Sequence, residues 1–178
     1  METGKRNLLI TGEPGIGKTT LIMKLAEELK SLHPVGFYSA EIRVDGVRKG
    51  FQLIGLDGRR GTLAHVDCRS YKVVGKYRVN VRAFDEFLEV LNLTAADGRI
   101  VIIDEIGKME CMSHLFRDLV EVLLDQDRIV IATVARDGAG MIEQVKQRDD
   151  VVLFEIMRRN RSEMVSKVLR RVHQIRFS

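Results

Sequence analysis

The stretch LLITGEPGIGKTTLI, residues 8–22, passes from a β-prone apolar run through a glycine-rich loop into a segment of helical spacing. With residue 7 its first part reads as a short buried strand. From Lys18 onward Leu21, Ile22, Leu25, Ala26 and Leu29 fall on one helical face. Between strand and helix, Gly12, Glu13, Pro14, Gly15, Ile16, Gly17, Lys18 and Thr19 satisfy G-x-x-x-x-G-K-[ST] in the setting that pattern requires. Each residue type has a physical task there. Glycines let backbone N–H groups turn toward phosphate oxygens, Lys18 brings positive charge to the β and γ phosphates, and the Thr19 hydroxyl is placed for Mg²⁺. The helix N-terminus adds the positive end of its dipole. Pro14 stiffens the loop, and Glu13, awkward beside polyphosphate, reads as a solvent-facing loop residue.

Outward from this loop the texture changes. Residues 35–81 alternate β-prone runs with two Asp-Gly pairs, Asp45-Gly46 and Asp57-Gly58, which signal type I′ hairpins and an antiparallel β-rich flap. Phe84, Phe87, Leu88 and Leu91 then mark a helix. RIVIIDE (residues 99–105) reads as a buried parallel strand; Leu115, Phe116, Leu119, Val120, Leu123 and Leu124 as a helix; RIVIAT (128–133) as a further strand. Met141, Ile142 and Val145 suggest a shorter helix before a last strand, VVLFEI (151–156). Asn160, with Glu163 three residues on, is read as the cap of a terminal helix carrying Met164, Val165, Val168, Leu169 and Val172. Repeated βα units imply a three-layer α/β fold with a mainly parallel sheet and a β-hairpin-rich insertion at about residues 35–81, all in one domain spanning 1–178.

The strand ending in Asp104 and Glu105 delivers both carboxylates where ligands bind in open parallel sheets. Asp104 fits a residue that holds Mg²⁺ with Thr19. Glu105 is placed to orient and deprotonate a water for in-line attack on the γ phosphate, with Lys18 as its catalytic partner. Thr133 is read either as a sensor of that phosphate or as a strand end. Arg117, Arg136 and Arg161 are candidates for an arginine finger, and Lys108 lies near the metal, against the alternative that each is a solvated charge. Lys167, Arg170 and Arg171 have the spacing of an ordinary solvated helix face.

The composition narrows the class. A length of 178 residues with 45% hydrophobic and 30% charged residues is enough for a buried core, and a net charge of +4 allows weak attraction to polyanions without naming one. Nucleic acid is therefore a weakly supported partner. Cys68 and Cys111 are too few for a disulfide framework, although Cys111 and His114 have the spacing of half a zinc site. The start, METGKRNLLITGEPG, lacks the apolar region and cleavage site of a secretory leader, and no 18-residue apolar span occurs. A cytoplasmic monomer without membrane contact is expected.

The blocks TGEPGIGKTTL, GFYSAEIR (36–43), GVRKGF (46–51), VGKYRV (74–79), DEIGKME (104–110) and Asn160-Arg161 resemble, in order and spacing, the nucleoside-triphosphate phosphohydrolase family first described from thermophiles, also called cancer-related nucleoside-triphosphatases. The resemblance implies a RecA-like P-loop core. It also implies Mg²⁺-dependent hydrolysis of ATP, GTP, CTP and UTP to the diphosphate and phosphate, with broad base preference. It carries nucleotide contacts to residues 12–19, with Thr20 following, and to Asp104 and Glu105. VARDGAGM, after Thr133, departs from the family's proline-containing segment. Two other functions remain open on the residues: a small-molecule kinase using Tyr38, Tyr71 or Tyr77 around an acceptor, and a switch driven by nucleotide on RNA or a protein. No guanine-reading motif and no aromatic-rich strand for base stacking supports the switch, and Glu105 with the family resemblance favours water over a kinase acceptor.

Overall fold

The computed structural model describes residues 5–176; the reading of a leaderless start falls in part on residues 1–4, outside them. Strand β1 (Asn7–Thr11) and helix α1 (Lys18–Glu28) form as their spacing predicts. There follow β2 (Val35–Val44), β3 (Val47–Gly55), β4 (Arg60–His65), β5 (Val73–Val74), β6 (Tyr77–Val79) and α2 (Val81–Leu91). The chain continues through β7 (Ile100–Ile106), α3 (His114–Asp125), β8 (Ile129–Val134), α4 (Met141–Lys146), β9 (Val151–Glu155) and α5 (Arg161–Arg176). No helix among the described residues is long and apolar enough to cross a membrane.

All these strands join one sheet in the order β5-β6-β4-β3-β2-β7-β8-β1-β9. β2, β7, β8, β1 and β9 run parallel, while β2 to β6 are linked antiparallel, so the expectation of a mainly parallel sheet is corrected to a mixed one. The reason lies in β2. Val35 to Phe37 pair parallel with β7, and from Phe37 onward the same strand pairs antiparallel with β3. The hairpins therefore extend the sheet instead of standing over it as a flap. Only the first Asp-Gly pair makes the expected turn: Asp45 and Gly46 both have positive φ (49° and 75°), whereas in the second pair Gly58 alone does. That second connection is a four-residue loop between β3 and β4.

Alternation along the parallel strands divides the core in two. Leu9, Val101, Ile103, Val130 and Ala132 face α2, α3 and α4, while Leu8, Ile10, Ile100, Ile102, Ile129 and Ile131 face α1 and α5. These are the three expected layers. Phe37 of β2 meets Phe84 and Phe87 of α2 edge-on at 6.0 and 5.8 Å, which ties the hairpin region to the helical layer.

Helix α2 is joined to α3 through Ser113. Its hydroxyl accepts the Phe116 N–H at 2.9 Å as the cap of α3, and donates to Asp85 of α2. Ser113 is fully buried. Ser113→Ala removes the cap and strands Asp85, and we expect it to lower stability by about 1–3 kcal/mol in denaturant titration.

Candidate active site

β1, β8 and β7 lie side by side, so the loops leaving their C-terminal ends meet at one edge of the sheet. The loop after β1 turns through left-handed Gly15 (φ 76°) and Gly17 (φ 108°), conformations that side chains resist. It ends on an α1 whose N-terminus has no side-chain cap and no acidic residue in its first turn. That leaves N–H groups free for an anion. Lys18 folds back over the loop, donating to the carbonyls of Gly12 (3.0 Å) and Glu13 (3.4 Å), with its Nζ 3.4 Å from Glu105 Oε2. Pro14 and Thr20 are exposed, and Ile16 is half-buried.

Asp104 is only 2% exposed. Its Oδ2 accepts the Thr19 hydroxyl at 2.7 Å, its Oδ1 the Thr133 hydroxyl at 2.5 Å, and the backbone N–H of Ser39 in β2 also donates to it. Burial pushes its pKa up, and these donors with the nearby Lys18 charge oppose the rise. A buried carboxylate touching a threonine hydroxyl, and short of positive charge, suits a hard divalent cation that takes its other ligands from phosphate and water. No group of three or more His, Cys, Asp or Glu able to hold a metal occurs among the described residues.

Glu105 follows at the lip of the site with its side chain 29% exposed. Burial raises its pKa, Lys18 lowers it and Asp104 raises it again. A third carboxylate, to which the sequence reading attached no role, lies close by. Glu110 is 6% exposed, in a 3-10 turn at Glu110–Met112 that brings it back toward β7. Burial foremost, then the charges of Glu105 and Asp104, raise its pKa to about 8, against N–H bonds from its own backbone and Gly107. Only its place in DEIGKME, five residues past Glu105, marked it in the sequence.

Thr133 belongs to this network through Asp104, and two of the three candidate arginines reach the loop. Arg136 pairs with Glu13 at 2.7 Å, and the Arg161 stem lies 3.5 Å from the position a Cβ on Gly17 would occupy. Arg117 instead sits against His114, and Lys108 is exposed. Glu13 is exposed, as expected. Cys111 is half-buried, and its thiol is pushed up to about 11 by burial and the Glu110 charge. The tyrosines diverge. Tyr77 is buried with its ring 5.1 Å from Phe51 and its hydroxyl accepting from Arg48, Tyr38 is half-buried, and Tyr71 is fully exposed. Asn160 does not cap α5 through its side chain as expected: its Oδ1 accepts the Met157 N–H at 2.8 Å and its Nδ2 donates to Glu155 O, so it braces the loop leaving β9. A cleft of about 430 Å³ lined by Arg6, Asn7, Asp125 and Asp150 lies at the opposite ends of the strands and holds none of these groups.

The sequence model of a family described as NTPase matches residues 7–169. The chain is 44% identical to the nucleoside-triphosphatase THEP1 of Thermotoga sp. (strain RQ2), covering 91% of this chain and 92% of that one. It is 37% identical to the cancer-related nucleoside-triphosphatase of Homo sapiens, covering 92% and 95% of the two. The crystal structure of THEP1 from the hyperthermophile Aquifex aeolicus superposes with a TM-score of 0.81 at 36% identity, over 91% of this chain and 96% of that one.

Proposed function

Given that the chain belongs to the NTPase family, we propose that it is an enzyme that hydrolyses nucleoside triphosphates to the diphosphate and phosphate, with Mg²⁺ as cofactor and water as acceptor. The observation that carries this reading is Glu105, a carboxylate at the mouth of the phosphate loop held 3.4 Å from Lys18. A base in that position serves a water, whereas a kinase needs a seat for an acceptor hydroxyl.

Each group then has a task. The backbone N–H groups of residues 12–19 and the N-terminus of α1 cradle the phosphates, and Lys18 swings its ammonium from the loop carbonyls onto the β and γ oxygens. Thr20, one residue further on α1, extends the same contact surface. Thr19 and Asp104 would hold the metal, which when bound neutralises β- and γ-phosphate charge. Thr133 and the Ser39 N–H keep Asp104 oriented through their hydrogen bonds. Glu105 aligns the attacking water and takes its proton as the water oxygen bonds to the γ phosphorus and the bond from that phosphorus to the β–γ bridging oxygen breaks, the oxygen leaving with the diphosphate. Because the grip falls on the phosphates, ATP, GTP, CTP and UTP are all substrates. The 178 residues act as one domain, hairpins included, in a cytoplasmic monomer.

Purified protein with Mg²⁺ and each nucleotide in turn is expected to release phosphate with no acceptor added, and to stop when the metal is chelated. Release that waits for a nucleoside or another hydroxyl compound would make it a kinase. Salt-sensitive stimulation by RNA would make it a switch.

A further inference from the structure

Glu110 lies behind Glu105 with one glycine between them. A Cβ built on Gly107 would sit 2.9 Å from Glu105 Oε1 and 2.9 Å from Glu110 Oε2, so the two carboxyl groups converge on a spot that tolerates no side chain. One water, or a small rotation, joins them. The charges that act most on Glu110 are the carboxylates Glu105 and Asp104 of β7. The cations nearby are engaged elsewhere: Lys18 of α1 with Glu105, Lys72 with the Met112 carbonyl at 2.8 Å, and Arg117 of α3 with His114. On the α2 side Asp85 is taken by Ser113, and the neighbouring Cys111 thiol stays protonated.

We propose that Glu110 is a positioning residue that donates a hydrogen bond, directly or through one water, to the Glu105 carboxylate and fixes its rotamer. The inference rests on Glu105 being the base. Its chemistry follows from the surroundings: buried among carboxylates without a cation of its own, Glu110 keeps its proton at neutral pH, with a pKa of about 8. The proton removed from the attacking water goes to Glu105, and Glu110 retains its own throughout. Above about pH 8 Glu110 ionises, the donor is lost, and a further negative charge stands behind the base; turnover falls there.

The test is kcat and KM against pH for wild type, E110A, E110Q and E105Q, each with an equilibrium measurement of nucleotide affinity. E110A is expected to lower kcat by about 10- to 100-fold with KM nearly unchanged. E110Q, which keeps an N–H donor and cannot ionise, is expected to restore kcat at pH 7 and to abolish the alkaline fall. Wild-type kcat in E110A, or an alkaline fall that persists in E110Q, would overturn the proposal. If E110A does not fold, the E110Q profile decides alone. An E105Q enzyme that turns over normally defeats the base assignment itself; an inactive E105Q beside a fully active E110A defeats only the role of Glu110.

Discussion

Glu105→Gln is expected to lose turnover by about three orders of magnitude while nucleoside triphosphate still binds with near wild-type affinity. The substitution keeps the size of the side chain and removes its ability to take a proton. In the wild type that ability is finely set: burial raises the pKa of Glu105, which makes it a stronger base, and Lys18 restrains the rise so that the carboxylate remains available. Affinity is expected to survive because, on the proposed function, the loop after β1 and Lys18 grip the phosphates, to which Glu105 adds only repulsion. The change should even free the Lys18 ammonium, now 3.4 Å from Glu105 Oε2, for phosphate. Single-turnover phosphate release measured beside equilibrium binding of the same nucleotide separates the two effects. A loss smaller than about tenfold would mean that another group handles the water.

Lys18→Ala is expected to act on the other term, weakening triphosphate binding by about 100-fold or more, near 3 kcal/mol. Its ammonium is the positive charge on the loop itself and is only 10% exposed, so its pull on phosphate is weakly screened. Without it, the Asp104 and Glu105 carboxylates face an incoming triphosphate offset by the bound metal and the backbone N–H groups of the loop. Calorimetry with a non-hydrolysable triphosphate in the presence of Mg²⁺ measures this directly. A change under about fivefold would show that the backbone N–H groups alone carry the phosphates.

On the proposed function the two variants divide the site into a grip and a reaction, and the glycine-rich loop is the more legible part of it in the sequence. The loop could be read because its requirements are local: glycines that turn left-handed, a lysine at the first position of a helix, and a helical apolar face beginning at Leu21 all lie within fifteen residues. The carboxylates at 104 and 105 were readable for a similar reason, since an apolar β-branched run that stops at charge marks the C-terminal end of a buried strand. That Thr133, from β8, would hold Asp104 was only half visible: the sequence shows a threonine ending a strand, and the contact exists because β7 and β8 pair in register from Ile100 to Ile103.

Glu110 was invisible on the same principle. A glutamate in a polar segment is ordinarily solvated; this one is enclosed because a 3-10 turn returns it beneath β7 and the Phe84–Phe116 core packs around the same turn. Arg136 and Glu13, 123 residues apart, form an ion pair that neither neighbourhood announces. The second Asp-Gly pair misled because a dipeptide permits a type I′ turn without imposing it, and the loop from 56 to 59 is closed instead by the Gly55 N–H donating to the Arg59 carbonyl and the Gly58 N–H donating to the Gly55 carbonyl.

Periodicity and turn chemistry thus suffice for most of the elements, the three layers and the shape of the glycine-rich loop, because each follows from φ/ψ preferences and from burial of a face that repeats every two or 3.6 residues. The mixed sheet is another matter. Whether β2 joins β7 or stands away from it depends on a pairing between Val35 and Val101, sixty-six positions distant, whose strength comes from backbone hydrogen bonds that every residue can make. Partner choice of that kind, and the burial of Glu110 that accompanies it, are settled by packing of the whole chain, since local residues carry no record of what will be laid against them.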